Sequence, residues 1–107
     1  MSVPRFENKY GNIEMQFNQN VRCFCPLGDS FYCATVDVDV IPDKWIPDYC
    51  DVQRDLRKLD GKPLILEDLL LEVYNYLIKE VEPKHLTVSV YSDDANHFPV
   101  RLTKYSE

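Results

Sequence analysis

The chain has 107 residues, 45% hydrophobic and 28% charged, a balance that gives one globular domain and excludes a disordered tail. Its 12 Lys and Arg against 18 Asp and Glu leave a formal charge of −6, which argues against direct nucleic-acid binding, because gripping a phosphate backbone needs clustered cations. The longest apolar runs, Leu64-Ile65-Leu66 and Leu69-Leu70-Leu71, are far short of the ~20 residues a membrane span needs, and Met1 to Tyr10 holds no apolar signal core, so a cytoplasmic protein with no membrane partner is expected.

Residues 1–107 read as a single domain, with 1–9 expected to be loosely ordered. Residues 12–17 alternate, with Ile13, Met15 and Phe17 on one side and Asn12, Glu14 and Gln16 on the other, which predicts a strand. Residues 34–41 do so most clearly: Val36, Val38 and Val40 face one way, Thr35, Asp37 and Asp39 the other. A first helix is expected over 48–59, with Asp48 as its cap, Val52, Leu56 and Leu59 as its apolar stripe, and Gly61 and Pro63 beyond its end. A second helix is expected over 66–81, where Leu66, Leu69, Leu70, Val73, Leu77 and Val81 recur at helical spacing and Pro83 follows. Leu71, Tyr74 and Ile78 widen that apolar face, so the helix needs a sheet on one side and leaves surface for a partner subunit. Residues 86–91 and 98–103 alternate again, and Asp93-Asp94-Ala95-Asn96 between them is turn chemistry, so these two strands should form a hairpin. The order ββααββ predicts an α+β fold: an antiparallel four-stranded sheet with two helices packed on one face.

Four cysteines, Cys23, Cys25, Cys33 and Cys50, stand in a chain with no visible secretory signal, so a disulfide framework is not expected. A zinc site would favour C-x-x-C pairs; here the close pair is C-x-C, and the two histidines sit at 85 and 97, so no metal is expected. Cys23, Cys33 and Cys50 read as small buried hydrophobes. Cys25 differs, because Pro26, Gly28 and Asp29 follow it and place it where a strand enters a loop. His85 and His97 read as surface histidines, Asp37 and Asp39 as a solvated pair, Arg57, Lys58 and Lys62 as a solvated helix end, and Tyr91 and Phe98 as core or subunit packing.

The element order resembles the tunnelling fold of GTP cyclohydrolase I, pyruvoyl-tetrahydropterin synthase and the QueF-type enzymes, and the local sequence is closest to QueF. Cys25-Pro26 resembles the QueF Cys-Pro that opens the nucleophile loop. Ala34-Thr35 through Ile41-Pro42-Asp43 look like the strand after it, Leu66-Glu67-Asp68 falls where the family has His-Glu-Asp, and Glu82-Pro83-Lys84 with Leu86-Thr87-Val88 resemble the helix end and next strand. The likeness spans about residues 21–91.

That resemblance implies a reaction at the nitrile of 7-cyano-7-deazaguanine, in queuosine- or archaeosine-type tRNA modification. A cysteine thiolate adds to the nitrile carbon to give a covalent thioimide. Cys25 would be the nucleophile, Glu67 would accept hydrogen bonds from the guanine-type N–H edge of the 7-deazapurine, and Asp29 would handle the proton. The family's loop aspartate falls on Tyr32, and the histidine before the glutamate is Leu66. The NADPH-associated Glu-Ser-Lys-Ser-Leu-Lys signature is replaced by Asp48-Tyr49-Cys50-Asp51-Val52-Gln53, and Arg-Asn-His-Gly by Asp60-Gly61-Lys62-Pro63. The resemblance therefore leaves NADPH-dependent reduction and amidinotransfer, in which ammonia resolves the thioimide, both open. It also implies a homo-oligomer with sites between subunits. The alternative is a non-catalytic member of the fold that binds a purine- or pterin-like ligand or serves a structural role.

Overall fold

Alternating valines build the centre of the molecule. In the computed structural model, which describes residues 3–94 and 97–106, the elements are β1 (Arg5–Glu7), β2 (Met15–Cys25), β3 (Ser30–Ile41), β4 (Trp45–Pro47), α1 (Tyr49–Arg57), α2 (Leu66–Val81), β5 (His85–Ser92) and β6 (Val100–Tyr105). β2, β3, β5 and β6 form one antiparallel sheet in that order. The register sets Val36 opposite Val90, Val38 opposite Val88 and Val40 opposite Leu86, so a single face carries the apolar side chains of the central strands. All six are buried. This is the α+β arrangement expected from the sequence.

Both helices cover that face. Asp48 caps α1, its carboxylate accepting the N–H groups of Cys50 at 3.1 Å and Asp51 at 3.3 Å. α2 begins and ends where its spacing predicts and buries Leu69, Val73, Leu77 and Val81. Each such side chain contributes about 1.5–3 kcal/mol over exposure, which is why a helix without a side-chain cap holds its first turn here. α2 closes on Glu82 in the left-handed region, φ 51°, where most helices use glycine. Between the helices, Tyr76 donates to Asp55 at 2.6 Å.

Several expectations are corrected. α1 stops at Arg57, and turns carry the chain to the buried Leu59. The first strand is nearly twice as long as its alternation suggests and starts at Met15, although its phase is as read. The last strand starts at Val100, so Phe98 lies outside it and is 77% exposed. Residues 95 and 96 of the expected turn lie outside the described residues. Of residues 1–9, expected to be loosely ordered, 1 and 2 lie outside the described residues, and Arg5–Glu7 form a strand: β1 pairs with β4 from Arg5–Pro47 to Glu7–Trp45, and the Arg5 guanidinium sits 4.3 Å over the Trp45 ring. Cys33 and Cys50 are exposed, because Cys33 shares the outer face of β3 with Thr35 and Asp37 and Cys50 lies on the outer side of the first turn of α1; only Cys23 is buried as expected.

Candidate active site

Cys25 is the last residue of β2 and stands opposite Ser30, the first of β3, so residues 26–29 make a four-residue turn. Asp29 completes that turn at φ 51°, a conformation aspartate tolerates better than most residues. Alternation along β2 puts Cys25 on the same side as Val21 and Cys23, but at the sheet's end, where helix cover runs out. Its thiol is half-buried, and the Gly28 N–H donates to Sγ at 3.4 Å.

The thiol opens on a cleft of about 290 Å³. It is lined by Gly28 and Ser30 of the hairpin, Tyr32 of β3, Leu66 of α2, Ser92 at the end of β5 and His97 on the connection to β6. The Tyr32 side chain is 5% exposed, and its hydroxyl donates to the Leu64 carbonyl, fixing the segment that leads into α2. Burial first, and then the neighbouring Cys23, Cys25 and Glu67, push the Tyr32 hydroxyl well above the ordinary phenol range. Burial likewise pushes the Cys23 thiol up.

The expected site residues are placed as follows. Cys25 is on the cleft wall. Glu67, in the first turn of α2 next to Leu66, is exposed and is not among the wall residues, though it is close enough for its charge to act on Tyr32. Asp29 is exposed on the turn and is not among the wall residues. Tyr32 lies on the wall and supplies a phenol there, not a carboxylate. His97, expected at the surface, is exposed, and it also lines the cleft. The signal was present in the topology: in the order β2-β3-β5-β6 the β2–β3 turn and the β5–β6 connection fall at the same end of the sheet.

Among the described residues there is no group of three or more His, Cys, Asp or Glu side chains that could hold a metal ion. The segment corresponding to the NADPH signature is the cap and first turn of α1. Asp48 spends its carboxylate on the cap, and Asp51 pairs with Arg54 at 2.9 Å. Two carboxylates and a cation already paired do not fit a dinucleotide phosphate.

No protein-family model matches the chain, and no curated protein matches it either. Among solved structures, the crystal structure of the archaeosine synthase QueF-Like in the apo form superposes with a TM-score of 0.81, at 17% identity, over 87% of this chain and 92% of that one. At that identity the likeness establishes the fold, which is the QueF-like tunnelling fold.

Proposed function

We propose that the protein is a QueF-like enzyme that captures a 7-deazapurine nitrile as a thioimide on Cys25. The observation that carries the reading is the half-buried thiol of Cys25 opening on a cleft at the start of α2, in a fold shared with an archaeosine synthase. The cleft suits one flat heterocycle. Leu66 and the Tyr32 ring give it apolar walls, and Glu67 beside them is the acceptor for the N–H edge of the base, as a carboxylate accepts paired N–H groups strongly. The proton that leaves the thiol has two candidate acceptors, Asp29 of the turn and His97 on the cleft wall.

Amidinotransfer is favoured over reduction, because the cap of α1 is unsuited to NADPH, and no step is routed through that cofactor. Assembly as a homo-oligomer belongs to the same proposal; β2 and β6 are the edge strands of the sheet, and Leu71 and Ile78 lie exposed on α2. Tyr32 supports a second reading, non-catalytic binding of a purine-like ligand, since it fills wall space where an acid would work.

Incubation with 7-cyano-7-deazaguanine tests the proposal. A Cys25-linked adduct is expected in the wild type, and Glu67→Gln should raise the ligand concentration needed by about tenfold or more, the cost of losing a charged acceptor. Ligand that binds without an adduct supports the non-catalytic reading, and neither binding nor adduct removes both. Ammonia or NADPH added separately then divides the two reactions by their product.

A further inference from the structure

Two side chains besides Cys25 that can hold or release a proton line the cleft: Tyr32 and His97. Tyr32 is out of use, its proton committed to the Leu64 carbonyl and its hydroxyl pushed up by burial. The Ser92 hydroxyl is committed as well, 2.9 Å from the Cys33 carbonyl and 3.1 Å from the Asp94 carboxylate, both acceptors. His97 is in a different state. Its Nδ1 lies 2.7 Å from the Phe98 carbonyl oxygen. A carbonyl only accepts, so the proton of the neutral ring sits on Nδ1, and Nε2 carries the free lone pair. That is the tautomer a base needs.

The start of the connection, at Asp94, is also held. Both Asp94 carboxylate oxygens accept the Cys33 N–H, at 2.9 and 3.1 Å, which fastens the segment after β5 to β3. The titratable groups on or next to the cleft are thus Cys25, Asp29 and Tyr32 of the hairpin, Asp94 and His97 of the connection, and Glu67 of α2.

We propose that His97 is the proton acceptor and donor for Cys25, an inference that rests on the nitrile reading for its substrate. Nε2 takes the thiol proton, and a sulfur lone pair forms the S–C bond. One C≡N π pair moves to nitrogen, and the imidazolium returns the same proton to that nitrogen. The thioimide forms with no change in net charge and no further reactant.

Alkylation of Cys25 by iodoacetamide, followed by peptide mapping, tests the pair apart from the substrate. In His97→Gln the rate near neutral pH should fall about tenfold or more, and adduct formation with 7-cyano-7-deazaguanine by about a hundredfold. At strongly alkaline pH, where hydroxide replaces the base, the alkylation rates of variant and wild type should converge. A merely structural role for His97 would not produce that convergence. Equal rates near neutral pH overturn the inference, as does a loss confined to Asp29→Asn. His97-dependent alkylation in a protein that forms no nitrile adduct keeps the pair and removes the nitrile reading; adduct formation indifferent to His97 does the reverse.

Discussion

Asp94 holds the candidate site together from outside it. Burial works against its charge, but the N–H of Cys33 and the hydroxyl of Ser92 outweigh that and hold its carboxyl below the usual range. A carboxyl held low when folded adds stability that is present above the unfolded value, about 3.9, and is lost as pH falls through the folded value. Asp94→Ala should therefore melt below the wild type at neutral pH, and the gap should close as the solution is acidified below about pH 4; a gap that persists undiminished in acid would contradict the assignment. The neighbouring residues show what a sequence reveals at this scale. Cys25 was legible, since Pro26, Gly28 and Asp29 mark a strand running into a turn. His97 was not, because its place in the cleft depends on which strand ends meet, and no local pattern encodes that.

The two helices are joined by one polar contact whose effect can be isolated. Tyr76 donates to Asp55, and that bond, ahead of the opposing burial and of Lys58 at 3.3 Å, lowers the Asp55 carboxyl. Tyr76→Phe should cost about 1.5–3 kcal/mol at neutral pH, as expected for a hydrogen bond to a charged group. By the same sign as above, the cost should shrink as pH falls through the folded value of Asp55, and denaturant titrations at two pH values measure it. Legibility at the element scale follows patterning. α2 was readable to the residue because its buried positions keep strict helical spacing over sixteen residues. β2 was read short because Gln19 takes an inward position at the sheet edge and breaks the apolar alternation. β1 and β4 are three residues each and pair across some forty positions of chain, so neither carries a period long enough to read.

At the scale of the whole molecule, the Cα atoms span 45 × 30 × 17 Å, a slab of helices on one sheet. The outer sheet face is polar: Asp37 meets Arg101 at 3.4 Å, and Ser89 meets Thr103 at 2.8 Å. Apart from the Phe24–Phe31 edge contact, 5.3 Å between ring centroids, the apolar cohesion of the sheet is on the helix side, and Leu77→Ala, at a fully buried position, should cost about 2–5 kcal/mol in denaturant unfolding. An effect below about 1 kcal/mol would mean that α2 is not packed as described. The fold class was legible because the order of strands and helices and the face each buries are written in periods of two and 3.6; the chemistry was legible only as far as short motifs reach. The account depends on the Cys25 sulfur forming a bond to a nitrile carbon. Peptide-mapped mass spectrometry after exposure to 7-cyano-7-deazaguanine tests this most directly. A gain of one ligand mass on the Cys25 peptide, absent in Cys25→Ala, is predicted; an unmodified Cys25 at saturating ligand would contradict it.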